Sequence, residues 1–295
     1  MAVDEQPRSA TEGFALDAVV DLDRYPIHRR ESLAYEAVVQ QARRGLGTEE
    51  CAYLPAFVRP QAIEALQAEA RALEPKAVYF SQEHNPYFSS LPHDLGDRDP
   101  RRVMGRKTNG LVPGEAFDRT GLIWNLCRNP TVKDFVEDCL SSGPLYVYDD
   151  PYGCLNVSIQ RPGEEFAWHF DTNEFTVSIL LQRPQAGGLF EFAPNIRSPE
   201  DERFGDVYDV VTGGSSRTYA LDLKPGDLQL FKGRYSVHRV TQVRGALSRM
   251  IALLAYARAP GMYATPERSK QIWGKVHPDQ VAAAKRKRRA DALLD

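Results

Sequence analysis

The hydrophobic pattern of the chain changes period near residue 144. Upstream, Ile63, Leu66, Ala70 and Leu73 recur at steps of three and four, which puts them on one face of a helix. Pro60 suits the first turn of that helix and Pro75 stops it. An earlier helix is expected from about Leu33 to Arg44, capped by Ser32 and ended by Gly45 and Gly47. A third is expected from Thr131 to Leu140. Residues 75–121 are rich in Pro, Gly, His and Asp and predict irregular structure, and residues 1 to about 15 predict a frayed tail.

Downstream the pattern is short and strand-like. The candidates are LYVY (145–148), CLNVSIQ (154–160), FAWHFD (166–171), EFTVSILLQ (174–182), GLFEFA (188–193), TYAL (218–221), DLQLF (227–231), SVHRV (236–240) and RMIALLAYA (249–257). Strands at this spacing, punctuated by Gly-Gly, Pro-Gly and Gly-Arg, predict an all-β barrel or sandwich. No helix-length amphipathic segment separates them, which argues against a parallel βαβ sheet. Residues 194–217 form an insertion far longer than the roughly 2 to 6 residues usual in a compact barrel. It reads equally as a surface excursion with a short helix at Asp206–Val211 or as a lid over the barrel mouth. A final helix is expected from Pro278 to Leu294. The expected organisation is one domain: residues 1–143 helical and irregular, 144–258 a β core, and 259–295 a helical extension.

Composition narrows the class. The chain has 295 residues, 42% hydrophobic and 26% charged, which is ordinary for a soluble globular protein. The formal net charge of -3 gives no electrostatic case for nucleic acid as the main partner. The basic run KRKRR at 285–289 suits a solvated helix face. Cys51, Cys127, Cys139 and Cys154 form no CxxC pair and predict reduced thiols. The polar N-terminus lacks the apolar core of a signal peptide, and no apolar run approaches the roughly 20 residues that span a bilayer. A cytoplasmic enzyme with a small-molecule substrate and no membrane is expected, with the oligomeric state left open.

The chemistry lies in Trp168-His169-Phe170-Asp171, followed by His238. In a strand, residues i and i+2 point to one side, so His169 and Asp171 can meet at one ion. Two imidazoles and a carboxylate on one face of Fe(II) leave three positions open, two for a bidentate 2-oxo acid and one for O2. His-x-Asp alone is weak; the context strengthens it. His238 follows a Pro-Gly-Asp turn (225–227), and eleven residues later Arg249 opens an apolar strand. A guanidinium at an inward strand position is a costly buried charge unless an anion meets it. His28, His84, His93 and His277 lie in polar, irregular contexts and read as surface or loop residues. Asn156, on a strand before His169, can hydrogen-bond the co-substrate or satisfy a backbone group. Thr172, Asn173 and Glu174 follow the His-x-Asp strand, where substrate contacts gather and where a turn needs polar residues anyway.

HxD, then H, then Arg about ten residues on resembles the Fe(II)/2-oxoglutarate-dependent dioxygenase superfamily over roughly residues 144–258. The resemblance implies a double-stranded β-helix (jelly-roll, cupin-like) core. It also implies iron at His169, Asp171 and His238, and 2-oxoglutarate held by Arg249, with O2 as oxidant. The segment WHFDTNEFTVSILLQ, the helical N-terminal region and the Trp273 segment are similar to the amino-acid halogenases and hydroxylases that act on free amino acids. In the halogenating members a small residue stands at the carboxylate position; Asp171 here implies hydroxylation. This narrower resemblance implies Arg106 on a substrate carboxylate and Trp273 against the substrate's carbon chain. Arg106 as one solvated base among several, and Trp273 as ordinary packing, stand beside these. Desaturation, epimerisation or cyclisation share the same cofactor chemistry. A demethylase of protein or nucleic acid and a non-catalytic metal-binding barrel are the remaining rivals.

Overall fold

The computed structural model describes residues 14–91, 93–141 and 143–284. Its helices are α1 (Leu16–Val19), α2 (Leu33–Thr48), α3 (Pro60–Leu73), α4 (Leu122–Arg128), α5 (Pro130–Leu140), α6 (Phe204–Val211), α7 (Pro266–Trp273) and α8 (Pro278–Ala283). Its strands are β1 (Cys51–Leu54), β2 (Val78–His84), β3 (Gly105–Val112), β4 (Tyr146–Val147), β5 (Leu155–Gln160), β6 (Phe166–His169), β7 (Thr176–Gln182), β8 (Ala186–Gly187), β9 (Phe190–Ala193), β10 (Tyr219–Leu221), β11 (Leu228–Phe231), β12 (Val237–Val240), β13 (Val243–Arg244), β14 (Arg249–Leu254) and β15 (Tyr256–Ala257).

Eleven of these strands form one large curled antiparallel sheet, ordered β1-β11-β7-β14-β5-β3-β6-β12-β9-β10, with β2 beside β3; β13 pairs with β8 and β15 with β4 in two small sheets. This is the jelly-roll arrangement the sequence implied. Strand β3 is the seam between its halves. One edge of β3 pairs with β2; the other meets β6 at Lys107↔Phe166 and then β5 from Gly110↔Ile159 to Val112↔Val157. The residues at this seam therefore project beside both half-sheets.

Alternation along the strands separates two faces. Val157, Ile159, Val177, Ile179, Leu228, Leu230, Met250, Ala252 and Leu254 point outward and pack in one core with Val39, Leu66, Ala70, Phe135 and Val136 of the helices. Each such fully buried aliphatic side chain contributes roughly 1.5–3 kcal/mol. The opposite face carries polar residues that are also buried: Gln160, Ser178, Gln229 and Arg249. They bond to one another across strands, as Asn109 Nδ2 does to Ser158 Oγ (3.0 Å) and Ser178 Oγ to Gln229 Oε1 (3.3 Å).

Several expectations change. The Ser32-capped helix runs through both glycines to Thr48. Gly45 serves packing there: a Cβ on it would lie 2.6 Å from Cys51 O of the adjoining strand. The segment 75–121 contains strands β2 and β3 and short 3-10 turns at Pro100–Arg102 and Gly114–Ala116. The C-terminal region contains α7 as well as α8, and the end of the expected last helix, the KRKRR run and most of the expected N-terminal tail lie outside the described residues. The insertion packs down rather than standing off. Val207, Val210 and Val211 of α6 join Tyr87, Phe170, Ile196 and Val237, and Arg197 pairs with Glu202 at 2.9 Å.

The C-terminal segment is latched to the core through Asp150, which is fully buried. Its Oδ1 accepts from Tyr152 N and Gly153 N, and its Oδ2 from Ala264 N and Gln280 Nε2. All four cysteines are free and buried. Among the described residues no helix is long and apolar enough to cross a membrane.

Candidate metal centre

The register of β12 on β6 pairs His238 directly with His169, and the two rings lie 4.1 Å apart, centroid to centroid. Each Nδ1 contacts a backbone carbonyl two residues earlier, Ala167 O at 2.9 Å and Ser236 O at 3.0 Å. A carbonyl only accepts, so each Nδ1 carries the hydrogen and each Nε2 keeps its lone pair for a metal. Asp171 follows the end of β6. Its backbone N donates to Gly233 O (3.1 Å), and Thr176 Oγ1 donates to its Oδ2 (2.8 Å). Its Oδ1 then lies 3.6 Å from His238 Nε2 and 3.8 Å from His169 Nε2. The three donor atoms all fall within 4.8 Å of one another.

Close approach explains one glycine. A Cβ on Gly233 would stand 2.2 Å from Asp171 Oδ2, so only glycine lets this loop cradle the carboxylate. Burial pushes the His169 imidazole well below its ordinary pKa, and neighbouring His238 adds to this, so His169 stays neutral and ready to ligate. Burial alone would raise the Asp171 carboxyl; neighbouring His238 and the hydrogen bond from Thr176 outweigh it and hold the carboxyl low. Two imidazole Nε2 atoms and one carboxylate, each residue oriented by a second hydrogen bond, fit a divalent iron with open positions.

Arg249 enters the polar face from the start of β14, opposite Gln160 on β5. It is buried, and its Nη1 donates to Gln160 Oε1 at 3.3 Å. Burial pushes the guanidinium down to about 10. Among the described residues no carboxylate pairs with it, and the neighbouring Gln160 Nε2 is buried without an acceptor. Two sets of unmatched donors at one place suit a carboxylate. The Phe190 ring lies 5.5 Å from that of His238 and lines the same small cavity as Arg249.

The other sequence candidates divide. Asn156 faces inward, but its Nδ2 donates to Val112 O (3.0 Å) and Tyr152 O (2.8 Å), so its amide nitrogen ties backbone together. Arg106 is a correction: its side chain is 53% exposed and pairs with Glu165, because β3 alternation turns it away from the site. Its neighbour Lys107 is the residue that points in. Trp273 is buried with Leu111, Tyr152 and Ile272. Thr172 is half-buried beside Asp171, Asn173 is exposed, and Glu174 pairs with Arg258 at 2.8 Å. His84 is a second correction. It closes β2 and is buried, with its ring 6.3 Å from that of His169. His28 and His93 are exposed, and His277 caps α8.

The family model described as halogenase D matches residues 100–273, more than half of the chain. The fold and site define a non-haem iron oxygenase of the 2-oxoglutarate-dependent class. Within it, the chain belongs to the halogenase D family. No curated protein matches the sequence. Among solved structures, the chain is similar to the epimerase SnoN in complex with Fe3+, alpha ketoglutarate and nogalamycin RO: TM-score 0.54, 15% identity, 75% of this chain and 84% of that one. It is also similar to SnoK, a non-heme alpha ketoglutarate dependent carbocyclase from nogalamycin biosynthesis: TM-score 0.52, 15% identity, 74% and 83%. A third is AviO1 from Streptomyces viridochromogenes Tue57: TM-score 0.51, 16% identity, 76% and 95%. These likenesses establish the shared fold.

Proposed function

We propose that this chain hydroxylates an unactivated C–H bond of a small polar substrate, a free amino acid or a derivative, using Fe(II), 2-oxoglutarate and O2. The observation that carries the reading is Asp171 Oδ1 standing 3.6 and 3.8 Å from the two imidazole nitrogens. That carboxylate is the third donor. A halogenating member needs the position clear for chloride; here it is filled and held by Thr176 and Gly233.

His169, Asp171 and His238 hold the iron in this reading. When bound, iron with 2-oxoglutarate and O2 supplies the oxidising power, yielding succinate, CO2 and one oxygen atom for the substrate. The protein's work is placement and exclusion of water. Arg249 and Gln160 receive the distal carboxylate of 2-oxoglutarate. Phe166 stacks on His169 at 3.6 Å and Phe231 sits edge-on to His238 at 4.8 Å, so aromatic rings cover the imidazoles. In this reading Thr172, half-buried beside Asp171, meets substrate, with Asn173 at the loop surface. The test is succinate release with a panel of free amino acids, followed by mass spectrometry. A product heavier by one oxygen is expected. A chlorinated product in the presence of chloride, or no succinate above background with any member, overturns the proposal.

A further inference from the structure

We infer that Lys107, Arg268 and His84 form a head-group subsite for a free α-amino acid, with the two cations holding its carboxylate and His84 Nε2 accepting from its amino group. This rests on the reading of the triad as an iron site that oxidises a small polar molecule, and it moves the substrate contact away from Arg106.

The three residues come from β3, α7 and the end of β2, yet they converge on one ring. Phe88 lies 4.4 Å from the His84 ring, 5.6 Å from Lys107 Nζ and 5.8 Å from Arg268 Cζ. The group adjoins the metal centre. Lys107 Nζ lies 4.3 Å over Phe166, the ring stacked on His169, and the His84 ring is 6.3 Å from His169.

Each member lacks the partner its chemistry calls for. Lys107 is 6% exposed, and its ammonium touches the rings of Phe80, Phe88 and Phe166; among the described residues no carboxylate pairs with it. A buried ammonium met only by ring faces is incompletely compensated. Burial and then the nearby Arg268 push it down to about 7. Arg268 donates to Gln271 Oε1 at 2.9 Å and makes no ion pair among the described residues. Both cations feel Asp171 as their opposite charge. His84 is 5% exposed; its Nδ1 bonds to Asn85 O at 2.9 Å, and its Nε2 is buried without a partner. Since Nδ1 must be the donor to a carbonyl, Nε2 is an acceptor. Two cations and one lone-pair acceptor around aromatic faces complement a carboxylate with an adjacent ammonium.

Arg249 and Gln160 already provide one carboxylate site, and a single 2-oxoglutarate fills it. The buried ammonium of Lys107, with the half-buried guanidinium of Arg268 facing the same ring, therefore calls for a second anion. Phe88 supports a binding role: it holds φ at +53°, a left-handed conformation costly for a bulky residue and stored at ligand clamps.

The test uses the Fe(II)-loaded, full-length enzyme under anaerobic conditions, where Fe(II) with 2-oxoglutarate gives a weak visible charge-transfer band. The probes are the free amino acid that releases most succinate, its methyl ester and its desamino acid. Addition of the free amino acid should perturb the band, and the ester should not. Lys107→Met and Arg268→Gln should raise KM for the free amino acid about tenfold or more and erase acid-over-ester preference. KM for 2-oxoglutarate should stay unchanged. His84→Phe should raise KM for the amino acid and leave that for the desamino acid unaltered. Retained wild-type acid-over-ester preference in both cation variants overturns the subsite, as does a variant that raises KM for 2-oxoglutarate instead. A wild type that shows the band yet turns over no free amino acid also overturns the subsite, while leaving the metal centre standing. Absence of the band overturns the iron reading itself. Lys107→Met keeps the side-chain length and apolar stem, and its band reports that the site is folded.

Discussion

Both faces of the large sheet bury side chains, but they do opposite things. The outer face, with Val157, Ile159, Ile179 and Met250, meets helices chiefly through apolar contact. The inner face buries Gln160, Ser178, Gln229, Arg249 and Lys107, and several of its polar atoms have no partner. Burial of apolar groups is favourable without further conditions; burial of polar groups is favourable only when every donor finds an acceptor. The outer face therefore holds the fold together, and the inner face keeps unmet demands that a metal and small molecules can satisfy. Stability and function reside on alternate residues of the same strands.

This division can be broken from either side. The largest expected effect is on chemistry: Asp171→Ala should abolish hydroxylation and weaken iron retention while circular dichroism stays native. Wild-type turnover by that variant, followed by product mass, would remove the triad from the account. Next, Ile179→Ala on the outer face should cost ~2–5 kcal/mol in chemical denaturation, with KM values little changed. Arg249→Ala should raise the 2-oxoglutarate concentration needed for half-maximal turnover roughly 10- to 100-fold with little loss of stability. An unchanged requirement would mean that another cation takes the co-substrate. Thr176→Val should weaken iron binding about tenfold in metal titrations, because it frees Asp171 Oδ2. The smallest effect is expected at Arg106→Ala, within about twofold of wild type in turnover, because its exposed pair with Glu165 contributes little.

The triad was legible because it lies in a strand whose alternation survives in the sequence, and because His238 and Arg249 follow at a recognisable distance. The strands of the β core were legible for the same reason. The substrate wall was not. Strands β2 and β3 have polar residues on the face turned to the site, such as Gln82, Lys107 and Asn109, so the apolar–polar alternation that marks a strand is missing. A strand that lines a polar pocket resembles a loop in sequence. His84 and Lys107 carry no strand signal for that reason, and the resemblance that implies Arg106 finds no alternation in the sequence to decide whether it or its neighbour points inward. Arg268 had no local signal at all, since its position depends on α7 docking against a distant element. Gly45, by contrast, carried a clear signal that misled: glycine ends many helices, but here it permits close approach to Cys51 within one.

The latch at Asp150 bears on how selectivity is assembled. Every donor assigned here to iron and 2-oxoglutarate has been supplied once the chain reaches Arg249, whereas Arg268 and Trp273 belong to a segment fastened at Ala264 and Gln280 by that one carboxylate. Loosening the fastening separates consumption of co-substrate from choice of substrate. An enzyme with an undocked tail would retain the parts that burn 2-oxoglutarate and lose part of the wall that decides what is oxidised.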